Sequence, residues 1–245
     1  MIRSISKSRQ SRAWFLPALL FTFLSTYLLA SQAWAKTGDH HQAYLEALDT
    51  VMAAEARIGG EMIRISSGTV AHYDFLQHEH IELLRHARAL RHPPTGMLAS
   101  ERDSVLAQAD ALLIAAESLE LVIADFLRAE ALLSNAVSNT LDLIATQSEQ
   151  SPTSSDLNQL QVLVHAVRKI RRDNTTETRE ALYAAFDKVA ALNMEQTWLS
   201  ELSVQQSLIR LNVGTAASGP SQLAMAGITS LAEELRVKYL AAMAD

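Results

Sequence analysis

Five histidines crowd one stretch of this chain, AHYDFLQHEHIELLRHARALRHPP: His72, His78, His80, His86 and His92. Asp74, Glu79 and Glu82 stand among them, and no other segment is as dense in groups of this kind. Imidazole changes charge near neutral pH and binds borderline divalent metals. On a helix, His78, Glu82 and His86 follow one another at i, i+4 and i+8, so they share one face. Such a face can hold Zn²⁺, Cu²⁺ or Ni²⁺ between imidazole and carboxylate. A seam through His72, Leu76, Glu79, Leu83, His86 and Leu90 would put three ionisable groups, His72, Glu79 and His86, on a packed face. The neighbouring register instead buries Leu76, His80, Leu83, Ala87 and Leu90. The metal-ligand set under test is therefore His72, His78, Glu79, His80, Glu82 and His86.

Two further carboxylates, Glu55 and Glu130, fall on apolar seams of other helices. A buried carboxylate is costly unless it is paired or metal-bound, so both are candidates to meet the histidine helix. The competing role for all these groups is structural. Histidines often occupy solvated helix faces, and Glu–His neighbours can simply be hydrogen-bonded pairs. A pH-sensing role is the third reading. Di-iron bundles need Glu-x-x-His on two helices, and the chain contains none. His-Glu-x-x-His, Gly-x-Ser-x-Gly, a P-loop and a dinucleotide fingerprint are likewise missing, which argues against an enzyme of those classes. His40 and His41 lie near the expected mature N-terminus but too far along for a tight amino-terminal Cu²⁺ or Ni²⁺ motif. The basic run Arg168, Lys169, Arg171 and Arg172 suits the end of a helix, where cations complement the dipole, and could also dock an acidic partner.

Compartment and charge narrow the function further. Arg3, Lys7, Arg9 and Arg12 form a basic start, residues 13–30 are apolar and uncharged, and Ala33-Trp34-Ala35 has the small residues of a signal peptidase site. The sequence thus predicts a signal peptide over 1–35 and a mature single helical-bundle domain over 36–245, destined for the periplasm. The alternative is an uncleaved inner-membrane anchor with the domain facing the periplasm, since the apolar run approaches the ~20 residues that span a bilayer. The chain carries 21 Lys and Arg against 27 Asp and Glu. Excision would remove four cations and no acid, leaving 17 against 27, a net −10. Such a protein is a poor partner for nucleic acid or anionic membranes. With no cysteine, it has no disulfide, thiolate metal site, c-type haem attachment or lipoprotein anchor. Its core alone must hold it together.

The elements that position these groups are helical throughout. No stretch alternates as a strand does, and breakers divide the mature chain into pieces near 39–65, 69–91, 100–148, 155–212 and 220–243. A softer break falls at Asp173–Thr176, and polar loops are expected at Ser148–Ser155 and Gly214–Pro220. The first two pieces could be one rod or a hairpin. The third piece is the longest uninterrupted one. Its seam runs Leu112, Ala116, Leu119, Ile123, Phe126, Glu130, Leu133, Val137, Thr140 and Ile144, alternating steps of four and three as in coiled coils. The fold class is all-α: an elongated antiparallel helical bundle with long coiled-coil-like helices. That plan is shared by chemoreceptor sensor domains, cytochrome-like bundles and coiled-coil adaptors, so it does not choose a function.

Two readings follow. The first is an exported binding or interaction protein for a small ligand or protein partner, which exposed Met and Leu on the later helices would support. The second is a periplasmic metal-binding protein built on residues 72–92. Both require export. N-terminal sequencing of the protein released from the periplasm should begin at Lys36; a full-length chain retained in the membrane fraction would establish the anchored alternative.

Overall fold

A computed structural model describes the backbone of residues 7–68, 73–95, 97–150 and 154–244, and the side chains of 23–27, 39–68, 73–95, 97–149 and 154–244. Among these residues there are seven helices and no strand: α1 (Lys7–Ser66), α2 (Tyr73–Ala89), α3 (Ala99–Gln150), α4 (Ser154–Ile170), α5 (Thr176–Ala190), α6 (Gln196–Met225) and α7 (Ile228–Ala244). The side chains around the expected cleavage site lie outside the described residues. Among those described, no helix is long and apolar enough to cross a membrane.

Helix α3 is the spine. Its 52 residues span about 78 Å at 1.5 Å per residue. Every one of the ten seam positions from Leu112 to Ile144 is buried. The first half of this seam packs into one core with α1, α2 and α7, around Leu48, Ile58, Leu83, Leu119, Leu235 and Tyr239. The second half packs into another core with α4, α5 and α6, around Leu133, Leu163, Leu182, Phe186, Ile209 and Val213. Two four-helix bundles are thus strung along one helix. Helix α6 runs antiparallel to α3 past the point where they meet, since Trp198 bonds Leu143 and Gly219 abuts Phe126.

Helices α1 and α2 form a hairpin and not a single rod. Tyr44 Oη donates to the Leu90 carbonyl at 3.1 Å, and Arg57 meets Glu79 at 2.8 Å, a pairing only antiparallel helices can make. The turn between them carries Gly68 at φ +69°, a left-handed conformation that suits glycine. A Cβ there would stand 3.4 Å from the Arg171 guanidinium, so this turn rests against the end of α4.

One expected break holds and three boundaries differ from the sequence expectation: α1 is helical already from Lys7 and not from about 39, and the other two lie in the later helices. The piece read as 155–212 is three elements. The soft break at Asp173–Thr176 is real and ends α4; Thr175 caps α5 by accepting from the Thr178 amide at 3.3 Å. A second break at Ala191–Glu195 contains neither glycine nor proline, so nothing local announced it. The loop expected at Gly214–Pro220 is the interior of α6, with Pro220 inside the helix. Proline removes one backbone bond there, and tertiary packing carries the helix through. The actual stop is Ala226-Gly227, with Gly227 at φ +66°.

Gly219 shows what holds α6 in place. A Cβ on it would lie 2.5 Å from Phe126 Cδ2 and 3.0 Å from Met62 Cε, so the backbone of α6 presses directly on side chains from α3 and α1. Gly214 has nothing within 4 Å of the same position. In urea unfolding, Gly219→Ala should lose about 1–3 kcal/mol from overpacking. Gly214→Ala should gain up to about 1 kcal/mol from helix propensity. Equal effects at the two positions would show that α6 is not pressed onto α3 at residue 219.

Candidate functional site

The histidine helix takes the register with Leu76, His80, Leu83, Ala87 and Leu90 inside, and Glu79 is buried beside them. His72 lies outside the described residues. His80 faces the core, where its Nε2 lies 2.9 Å from the Ala116 carbonyl on α3. A carbonyl can only accept, so Nε2 is the protonated nitrogen. Glu79 accepts from Arg57 of α1. His78 points to solvent. Glu82 accepts from Arg85, and this bond, more than its other surroundings, holds the Glu82 carboxyl below the usual range. His86 Nε2 sits 3.0 Å from Arg85 and 3.9 Å from Glu82. Partial burial and then the Arg85 charge make His86 harder to protonate, with Glu82 opposing. The five described ligand positions therefore split between core, surface and interhelical ties. Among the described residues, no three His, Asp or Glu side chains converge as metal ligands would.

Glu55 and Glu130 are buried, as their seam positions require, but their partners belong to other helices. Glu55 accepts from the Thr229 amide at 2.8 Å and from the Thr229 hydroxyl. It sits at the start of α7, whose first turn has no acid of its own. A carboxylate from α1 thus supplies the negative charge that a helix N-terminus favours. Glu130 is 1% exposed and pairs with Arg171 at 2.7 Å, where α4 meets α3 between the two cores. Burial pushes its pKa up, and the hydrogen bond from Arg171 pulls it back in part.

His41 Nδ1 lies 2.8 Å from the Tyr239 hydroxyl, and Tyr44 packs against the same ring with centroids 4.3 Å apart. Burial pushes the Tyr239 phenol up to about 12, so it stays protonated across the physiological range. These aromatics belong to the packing of the first bundle.

A site that sequence reasoning did not anticipate lies in the second bundle. Helices α3 and α6 lie side by side there and line a groove of about 620 Å³. Asn139, Asp142, Leu143, Thr146 and Gln147 line it from α3; Glu195, Thr197, Trp198, Glu201, Val204 and Gln205 line it from α6 and the residue before it. Trp198 is 7% exposed, and its indole N–H donates to the Leu143 carbonyl at 3.0 Å, which pins the ring as an apolar floor. Asp142, Glu195 and Glu201 stand exposed around it. Among the described residues, no Lys, Arg or His lines the groove. On the sequence, its two halves are polar stripes separated by nearly fifty residues, and only the α3–α6 packing joins them.

Neither a protein-family model nor a curated protein matches the chain.

The Glu130–Arg171 pair carries a pH signature. Glu130 has a raised pKa in the fold, so folding favours its protonated form. Its contribution to stability is greatest in acid and is lost as pH rises through that raised value. Arg171→Met leaves the carboxylate buried without its partner and should cost about 3–5 kcal/mol at neutral pH. Protonation of Glu130 removes the uncompensated charge, so the loss should shrink in acid. Urea unfolding at several pH values checks this; a loss that does not vary with pH would show that Glu130 is not the group left uncompensated.

Proposed function

We propose that this chain is an exported, periplasmic helical-bundle module that binds a small ligand or a protein partner. The observation that carries this reading is the α3–α6 groove. Its volume of about 620 Å³ is that of a small-molecule site, and it combines an apolar floor with polar walls. The buried ionisable groups elsewhere are taken up in internal ties, whereas in the groove polar side chains of α3 and α6 converge on open space. Leu211 and Met225, 73% and 76% exposed, add apolar surface further along α6. The basic, then apolar, start of the chain followed by Ala33-Trp34-Ala35 supports export.

The metal reading keeps a narrower basis. His78, Glu82 and His86 share one face of α2, but Arg85 already occupies Glu82 and crowds His86.

Thermal melts separate the two. The protein would be melted with panels of amines, organic acids, amino acids, sugars and divalent ions. A ligand of the binding module at about 100 times its Kd stabilises the fold by about 2.7 kcal/mol, a shift of several degrees. The expected result is a shift by an organic ligand. If only Zn²⁺, Cu²⁺ or Ni²⁺ raises the melt, and His78→Ala and His86→Ala each weaken that binding about tenfold while His92→Ala does not, the metal reading replaces this one.

A further inference from the structure

Four glutamates are buried among the described residues: Glu55, Glu61, Glu79 and Glu130. Three of them meet an arginine, Glu61 with Arg64, Glu79 with Arg57 and Glu130 with Arg171. Glu55 forms no ion pair among the described residues. A carboxylate taken out of water needs a cation or a full set of donors. Glu55 has half of that set. Its Oε2 takes both donors of Thr229, the amide and the hydroxyl, and its Oε1 takes none. The residue is only 9% exposed, yet this second oxygen keeps surface open to solvent.

Glu55 lines a cleft of about 500 Å³ between α1, α6 and α7, on the first bundle and apart from the α3–α6 groove. The walls are apolar: Ala56 and Ile63 from α1, and Pro220, Leu223 and Ala224 from α6. Ile63 is 58% exposed, so the cleft presents apolar surface that no element of the chain covers. Among the described residues, no Lys, Arg or His lines it. The cleft thus joins an apolar wall to one buried carboxylate oxygen that still lacks a donor.

We infer that this cleft binds a primary amine with an apolar body, its ammonium donating to Glu55 Oε1 and its hydrocarbon part lying against Ile63, Pro220 and Leu223. Ammonium offers donors and no acceptor, and a bond from it to a carboxylate is stronger than one between neutral groups. The start of α7 carries a partial positive charge of about half a unit, which the full charge of Glu55 outweighs. Glu233, in the second turn of α7, lines the same cleft and adds to the negative side. An anion would meet two carboxylates there. The walls reward a hydrocarbon body, and they give the second charge of a diamine no partner. The volume is that of a small-molecule site. This site goes beyond the reading given above and stands whether or not the α3–α6 groove is occupied.

Calorimetry on the purified full chain tests it with hexylamine, with hexanol, hexanoate and methylammonium as comparisons. Hexylamine should bind, hexanol and methylammonium should bind about tenfold more weakly or worse, and hexanoate should not bind. The double variant Ala56→Leu, Ala224→Leu fills the cleft from two exposed helical positions and leaves Glu55 and Thr229 in place. It should weaken hexylamine binding about tenfold or more while its own melt holds. Glu55→Gln keeps the shape and an oxygen for Thr229, and should cause a comparable loss; if it unfolds the chain, the leucine variant still decides. The double variant Asp110→Asn, Glu117→Gln, at exposed positions of α3, should bind as the parent does. Equal loss in that variant would reveal attraction to a net-acidic surface and overturn the site. Unchanged binding in the leucine variant, or no binding of hexylamine at all, would overturn it too. Hexanol binding as tightly as hexylamine would overturn the role of Glu55, and methylammonium doing so would overturn the role of the apolar walls.

Discussion

The unbroken apolar seam of α3 is the constraint on which the rest of the molecule depends. Ten buried positions over more than thirty residues cannot be covered by one short partner. The chain covers them twice, with α1, α2 and α7 at one end and α4, α5 and α6 at the other. Steps of four and three keep the seam in line along the whole rod, so both bundles inherit one axis. Glu130 is the seam's one charged member, and it falls where the two cores meet. Arg171 reaches it there, and the Gly68 turn closes over Arg171. The apolar seam supplies the driving force, and the polar group in its middle marks the border between the two units.

Polar groups inside the bundles act mainly as fasteners between helices. Arg57 to Glu79 joins α1 to α2, His80 joins α2 to α3, and Glu55 joins α1 to the first turn of α7. Each is satisfied across a helix pair, which is how buried polar groups persist without heavy cost. Such contacts add little net energy, yet each disfavours a slipped register that would leave its partner bare. The groove differs in kind. Its carboxylates face open space beside a pinned tryptophan, and among the described residues no cation pairs with them.

Much of the fold was legible because the information was local and periodic. The α3 seam, the seam position of Glu55 on α1 and the break near Asn174 could be read from spacing and breakers alone. The end of α5 at Ala191 could not, because no glycine or proline marks it. Gly214–Pro220 misled for the opposite reason. Breaker residues stand there, but Gly219 serves close approach to Phe126 and not a turn. The metal candidates were legible as residue types only. Whether His78, His80 and His86 converge depends on helix rotation, and α2 divides them between its core and solvent faces. The groove was not legible at all, since it exists only where α3 and α6 lie side by side.

The chain order of the two bundles has a consequence for how the molecule comes into being. The second bundle is contiguous: the later part of α3, then α4, α5 and α6, complete by Met225. The first bundle is interrupted by that entire insertion. Its fourth wall is α7, which brings Ile228, Ala232, Leu235 and Tyr239 back against helices made far earlier in the chain. Glu55 meets Thr229 across 174 positions of sequence. Contacts so distant in sequence are slow to form. In a chain that emerges from its N-terminus, the groove-bearing bundle is therefore finished first, while the histidine-bearing bundle holds an open core until the last seventeen-residue helix docks.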